Sequence, residues 1–279
     1  MAIDLQNKPI IITGASSGIG AATAIECAKR GMPVLLNARR EDRLKQVVKV
    51  IRDSGGGAEM VVGDVAEEGV NTLLLDTAEE LFADQGGVYA VFANAGYGLN
   101  RTMLEMTMPD LRDIFEVNFF AACDLLMKAG TRMREQTSSG HLLMCSSCLS
   151  KFSLTNHGAY AATKAAQNQV CRSMRMELRD EGIAVSSVHP ITTTTEFFDV
   201  SAERSGSGFS GDLIAKNTPR WFLHTPQRVA RSVVKCLQKP KAEVWPSVLT
   251  RFFAGGVTAF PQIVDWMVRL KKIKKAIGQ

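Results

Sequence analysis

Short apolar runs recur along the chain, separated by longer stretches in which apolar residues return every three or four positions. The runs are IIIT, VLLNA, EMVVGDV, VYAVFANAG, HLLMCSS, AVSSVHP and EVWPS. Several are apolar throughout, which predicts strands buried on both faces. The helical pattern falls near residues 18–30, 41–53, 67–84, 109–136, 159–180 and 226–238. Strand and helix in alternation predict an α/β fold: a doubly wound parallel sheet with helices on both faces. In such a sheet, ligands sit beyond the carboxyl ends of the strands. Gly14, Arg39, Asp64, Asn94, Ser147 and Pro190 all fall at or just past those ends.

The first strand runs straight into Gly14-Ala15-Ser16-Ser17-Gly18-Ile19-Gly20, and a helical pattern closed by Gly31 follows. Strand, glycine turn and helix in that order make a phosphate-binding loop. Glycines let the backbone approach a pyrophosphate, and the helix N-terminus supplies unpaired N–H groups and the positive dipole end. Gly14, Ser16, Ser17, Gly18, Ile19 and Gly20 are its candidate contacts.

Ser147, Tyr160 and Lys164 carry the candidate chemistry. Tyr160 and Lys164 are four residues apart in a helical run, so they share one face. A free phenol has a pKa near ~10, and an adjacent ammonium is expected to lower it toward a useful range. A serine hydroxyl just after a strand suits the oxygen of a reacting carbonyl as charge develops on it.

TGASSGIG, Asn94-Ala95-Gly96, Asn118, Ser147 and Tyr160-AAT-Lys164, in this order, resemble the short-chain dehydrogenase/reductase family over about residues 6–200. The resemblance implies a Rossmann-type domain. It places Asp64 and Val65 at the adenine, Asn94, Ala95 and Gly96 on the adenosine side, and Asn118 as the residue that holds helix geometry and a water leading to Lys164. Tyr160 exchanges the proton, and Lys164 also reaches the nicotinamide ribose. Pro190 and Thr195 stand in the family's Pro-Gly-x-x-x-Thr segment, with Thr195 at the carboxamide; Ile191 replaces the usual glycine. Ser150 stands where many members have glycine.

The end of the second strand reads Leu36-Asn37-Ala38-Arg39-Arg40. A carboxylate there would select NAD, whereas a cation suits the 2′-phosphate of NADP. By the resemblance, Ala38 occupies the acidic position and Arg39 follows it. Arg39 is expected to bind the phosphate, with Arg40 assisting or opening a solvated helix face. Cations are unfavourable at a helix N-terminus, so two arginines there call for a compensating anion. NADP(H) is the expected cofactor.

The chain has 279 residues, of which 46% are hydrophobic, enough for one large core. The N-terminus lacks a basic, apolar export signal, so a cytoplasmic protein with reduced cysteines is expected. Cys145 and Cys148 form a C-x-x-C around Ser147. No second pair at metal spacing accompanies them, and no metal is expected. His157 and His189 lie near the site in sequence, though the family chemistry requires neither.

Residues 1–248 are read as the NADP-binding domain, with a Gly/Ser-punctuated lid at about 196–225. Phe197, Phe198, Phe209, Leu213, Trp221 and Phe222 are candidates to line an apolar pocket in it. Residues 249–279 form an apolar and basic extension. Arg269, Lys271, Lys272, Lys274 and Lys275 equal the whole formal net charge of +5. An interfacial membrane contact, a subunit contact and a solvated tail all remain open. Gly255, Gly256 and Pro261 are expected to interrupt any long helix, which favours subunit packing for the apolar part. The basic cluster lacks interleaved aromatics, which argues against nucleic acid.

The reading is an NADP(H)-dependent oxidoreductase acting on a small apolar carbonyl or alcohol, as a homo-oligomer. Its alternative is a non-catalytic NADP(H)-binding regulatory or scaffold protein on the same fold.

Overall fold

A computed structural model describes residues 2–136, 139–193, 195–205 and 222–269. Its strands are β1 Ile10–Thr13, β2 Val34–Ala38, β3 Ala58–Val62, β4 Ala90–Ala93, β5 Gly140–Cys145, β6 Ile183–Val188 and β7 Glu243–Val244. They form one sheet in the order β3-β2-β1-β4-β5-β6-β7, parallel throughout. The helices are α1 Gly18–Ala28, α2 Glu41–Asp53, α3 Val70–Leu81, α4 Met108–Phe115, α5 Ala121–Glu135, α6 Gly158–Glu177, α7 Phe197–Ser205, α8 Pro226–Gln238, α9 Val248–Ala259 and α10 Gln262–Arg269.

The unbroken apolar strands feed two cores. Successive strand side chains point to opposite faces. Ile10 and Ile12 join Val34, Leu36, Phe92 and Leu143 on one face, under Ala24 of α1, Leu44 of α2 and Val233 of α8. Ile11 joins Leu35, Val91, Leu142 and Met144 on the other, under Leu74 of α3, Leu126 of α5 and Cys171 of α6. This is the doubly wound arrangement expected, in a single domain.

Four differences from the sequence reading have physical causes. The helix expected over 109–136 is divided by a π-helical turn at Glu116–Phe120. The helix expected from 67 begins at Val70, because Gly69 takes a left-handed conformation (φ 85°) just before it. Part of the expected lid is ordered as α7, whereas Phe209, Leu213 and Trp221 lie outside the described residues. Finally, α9 runs through Gly255 and Gly256. Each glycine costs a helix about 1 kcal/mol, offset here by burial of Ala254 and Val257 on the opposite side. Only Pro261 marks a break, between α9 and α10.

Two histidines are fully buried against the sheet. His141 on β5 lies with its Nε2 2.8 Å from the Ser186 hydroxyl, and burial, with a smaller effect from Arg175, pushes its pKa down to about 3. His189, just past β6, is held down to about 4, again chiefly by burial. An unfolded histidine titrates near ~6.5, so the unfolded chain takes up these protons first. The stabilisation is full above about pH 6.5 and is lost as pH falls through the folded values. Each histidine can contribute a slope of up to about 1.4 kcal/mol per pH unit. Urea unfolding midpoints should therefore fall steadily from pH 7 to pH 4.5, and His189→Gln should flatten that fall. An unchanged profile in the variant would contradict the assignment.

Candidate active site

The strand order reverses between β1 and β4, and the loops after these two strands face each other across the gap. Thr13, the last residue of β1, joins them: its hydroxyl oxygen accepts the N–H groups of Asn94 and Ala95, each at 3.0 Å. The Asn94 amide donates back to the Thr13 carbonyl oxygen at 3.0 Å. Gly14 turns away with φ +64°, and a Cβ there would lie 2.9 Å from Ala95 Cα. A Cβ on Gly20 would strike the Gly14 carbonyl oxygen and come 2.7 Å from the Asn94 amide nitrogen. The loop therefore closes only with glycine at these places. Ser17 is the N-cap of α1 and makes no side-chain cap, so the first-turn N–H groups of Gly18, Ile19 and Gly20 point along the helix axis. This is a fit for a pyrophosphate.

The π-helical turn carries Asn118, which is fully buried. Its Nδ2 donates to the Tyr97 carbonyl oxygen at 2.9 Å, and its Oδ1 accepts the Tyr97 N–H at 2.9 Å. Its backbone carbonyl accepts from Gln167 of α6. The wide turn thus turns helix polarity inward and ties the loop after β4 to α6. π-bulges of this kind often occur at functional sites.

Along α6, Tyr160 and Lys164 face this region. Lys164 is buried, and its Nζ donates to the Cys145 carbonyl oxygen at 2.7 Å. Its Nζ lies 5.5 Å from the Tyr160 ring centroid. Gly96 sits between: a Cβ there would be 2.9 Å from Asn118 Oδ1 and 3.6 Å from Lys164 Nζ. The Tyr160 phenol lies beside the Ser147 side chain, which favours its ionised form. The Ser147 hydroxyl oxygen accepts the Leu149 N–H at 3.1 Å, which caps the short 3₁₀ turn Cys148–Ser150. Asn118, Ser147, Tyr160 and Lys164 are therefore brought together.

Burial governs the charges here. It pushes the Tyr160 phenol well above its ordinary value, with Ser147 acting weakly the other way. It lowers Lys164 to about 8. The lowered phenol pKa expected from the Tyr–Lys spacing is thus corrected. The ammonium is turned to the Cys145 carbonyl, and desolvation of the phenolate outweighs any charge effect. At neutral pH, Tyr160 holds its proton.

The two arginines after β2 separate. Arg39 pairs with Asp64 at 3.2 Å. Arg40 turns over the glycine loop, donating to the Ser17 hydroxyl at 2.8 Å and the Ser16 hydroxyl at 3.2 Å. It also pairs with Glu196 at 2.8 Å, and Arg43 does the same from the next turn of α2. The Arg40 hydrogen bond chiefly, with help from Arg43, holds the Glu196 carboxyl below its usual range. The compensating anions called for at this helix start are thus protein carboxylates, Asp64 and Glu196. Val65 is buried beside Asp64.

Residues 195–197 touch three parts of the site at once. Thr195 lies against Gly18, whose added Cβ would sit 3.1 Å from the threonine methyl. Glu196 holds Arg40 and Arg43. The Phe197 ring packs edge-on to Tyr160, with centroids 5.5 Å apart, and also meets Phe198 at 5.6 Å. Pro190 accepts the Cys148 N–H at 2.9 Å. His189 Nδ1 lies 3.0 Å from the Ser147 carbonyl oxygen, and its ring stacks on Trp245 at 4.5 Å. The sequence reading gave Glu196, Arg43 and His189 no role. The pairs of Glu196 with Arg40 and Arg43 join residues more than 150 positions apart, so only a charged residue beside Thr195 could have signalled the link. Cys145 and Cys148 are free and buried; burial pushes the Cys148 thiol up to about 12, which makes it a poor nucleophile or ligand.

The chain matches the family described as short chain dehydrogenase over residues 8–205. It belongs to that family and is an oxidoreductase of its type. It is 30% identical to the uncharacterized oxidoreductase Lin0452 of Listeria innocua over 240 residues, 85% of this chain and 93% of that protein. With 3beta-hydroxysteroid dehydrogenase 1 of Eggerthella lenta it shares 26% identity over 262 residues, 92% and 96% of the two chains. A short chain dehydrogenase/reductase from Burkholderia phymatum, solved in complex with NAD, has the same fold. That superposition has a TM-score of 0.81 at 23% identity and covers 94% of this chain and 96% of that one.

Asn118→Ala would strand the buried N–H and C=O of Tyr97. Each unpaired buried group costs about 1–3 kcal/mol, so the variant should lose roughly 2–5 kcal/mol in urea unfolding. A loss below about 0.5 kcal/mol, the range of neutral surface changes, would show that Asn118 does not hold this junction.

Proposed function

We propose that the protein is an NADP(H)-dependent oxidoreductase of a small apolar carbonyl or secondary alcohol. The observation that carries this reading is the meeting of Tyr160, Ser147 and Lys164 beside a glycine loop built for a pyrophosphate. When bound, the dinucleotide supplies or accepts a hydride at its nicotinamide. Gly14, Ser16, Ser17, Gly18, Ile19 and Gly20 hold the pyrophosphate, and Asp64, Val65, Asn94, Ala95 and Gly96 border the adenosine. Tyr160 and Lys164 reach the nicotinamide ribose, and Pro190 with Thr195 the carboxamide. Arg40, aimed at Ser16 and Ser17, takes the 2′-phosphate in place of Arg39, which the sequence favoured and which pairs with Asp64. Ala38 offers no carboxylate to a ribose 2′-hydroxyl, which supports NADP over NAD.

Ser147 and Tyr160 lie side by side, so a substrate oxygen seated between them receives two donors. Tyr160, protonated at neutral pH, passes its proton to that oxygen during reduction. The Lys164 ammonium stabilises the phenolate left behind. Phe197 and Phe198 wall the substrate side and exclude water. Their apolar surface, and the steroid named for the Eggerthella lenta relative, support an apolar substrate. A homo-oligomer in the cytoplasm, or lying against a membrane surface, completes the reading; the exposed Phe120 and Met127, one face of the π-turn and α5, suit a second copy.

Tyr160→Phe keeps the ring contact with Phe197 and removes the transferable proton. Turnover should fall at least ~100-fold with little change in NADPH affinity. Wild-type turnover in the variant would remove Tyr160 from the chemistry. If the wild type binds NADPH yet turns over no carbonyl in a broad panel, the non-catalytic binding role is favoured.

Removing Arg40 should weaken NADPH by about tenfold to a hundredfold, the value of a charge-assisted contact of roughly 1.5–3 kcal/mol, and leave NADH nearly unchanged. Glu196→Gln should do the opposite and tighten NADPH, because the carboxylate competes for Arg40. Fluorescence titration of both dinucleotides reads both variants. Equal losses for NADPH and NADH in the Arg40 variant would count against phosphate recognition.

A further inference from the structure

Helices α9 and α10 each present an apolar surface to solvent. Val248 is 69% exposed, Phe252 74%, Phe260 64% and Trp266 63%. The opposite side of α9 is already in use. Thr250, Ala254 and Val257 are buried, and the Phe253 ring meets Phe152 and Phe222 at 5.7 Å and 5.4 Å. At 3.6 residues per turn, Val248, Phe252, Gly255 and Ala259 fall on the face away from those contacts. The helix is anchored by one side and has a second apolar side left over.

Charge indicates what covers it. From Trp245 to the end of the chain, Asp265 is the only acid, against Arg251, Arg269, Lys271, Lys272, Lys274 and Lys275. A second copy packed symmetrically here would bring two cationic segments together. An anionic lipid surface would neutralise them, and exposed Phe and Trp suit the headgroup boundary. With 12 and 8 residues, α9 and α10 are too short to span, since a span needs about 20. Among the described residues no helix is long and apolar enough to cross a membrane.

We propose that the outer face of α9 and α10 docks on an anionic lipid surface. The docked helix backs directly onto the site: Thr258 donates to the Lys151 carbonyl oxygen at 3.3 Å, and Phe152 follows the turn that starts at Ser147. If the proposed apolar substrate holds, the lipid surface lies one helix away from it; the docking itself does not depend on the activity.

The test is sedimentation of the full chain with phosphatidylcholine vesicles, with and without phosphatidylglycerol. Phe252→Glu combined with Trp266→Glu is compared with the wild type, and particle size is followed by light scattering. The wild type should bind only the anionic vesicles and lose at least tenfold in partitioning when salt is raised, because surface charge is screened. The double variant should lose at least tenfold at low salt, with unfolding temperature and NADPH affinity unchanged, since both side chains are exposed. No vesicle binding, or equal binding by wild type and variant, overturns the proposal. A wild-type oligomer that the variant dissociates, without vesicle binding, assigns the face to a second copy and overturns it too.

Discussion

A parallel sheet whose strand order reverses between β1 and β4 must leave a crevice at that point, because successive crossovers go to opposite faces. In this protein the Thr13 hydroxyl sets the width of that crevice by accepting two backbone N–H groups from the loop after β4. The glycine loop and the Asn94–Gly96 strip become one wall. The candidate site is arranged around that wall. Asn118 fastens it to α6, and α6 carries Tyr160 and Lys164. A residue larger than glycine at position 20 would push against both the loop and Asn94, so the glycine loop and the strip that Asn118 ties to α6 share one constraint.

Burial sets the chemistry more than the spacing of charges does. Lys164 is taken out of water, its proton affinity falls, and its ammonium needs the Cys145 carbonyl. Tyr160 is pushed the other way by the same desolvation. The result is a neutral phenol beside Ser147, with the Lys164 ammonium 5.5 Å from its ring. His189 supports this arrangement from behind: as a neutral ring against Trp245, it lies within hydrogen-bonding distance of the Ser147 backbone. On the cofactor side, Glu196 ties the segment carrying Phe197 to the arginines after β2. A change at Arg40 would therefore be felt at Phe197 and, through the ring contact, at Tyr160.

The sheet, its helices and the glycine loop were legible in the sequence because each leaves a local pattern: IIIT for a doubly buried strand, Gly14 to Gly20 for a close backbone approach. Ser147, Tyr160 and Lys164 were legible through their order and spacing. What was not legible depends on tertiary packing. Periodicity runs through Glu116–Phe120 without showing the π-turn. The sequence favours Arg39 over Arg40 for a phosphate, whereas the fold sends Arg39 to Asp64 and Arg40 to Ser16 and Ser17. Gly255 and Gly256 read as helix breaks, whereas packing of Phe253, Ala254 and Val257 carries α9 through them. The direction of the Tyr160 shift was misjudged for the same reason, since desolvation is a property of the folded site.

Isotope transfer tests the central claim most directly. The protein is incubated with NADPH carrying deuterium at nicotinamide C4, on either face, and a panel of apolar ketones, and the alcohols are analysed by mass spectrometry. The account predicts an alcohol with one deuterium on the carbinol carbon, drawn from one face of the dinucleotide and absent when only the solvent is deuterated. NADPH binding without any deuterated product across the panel would contradict it.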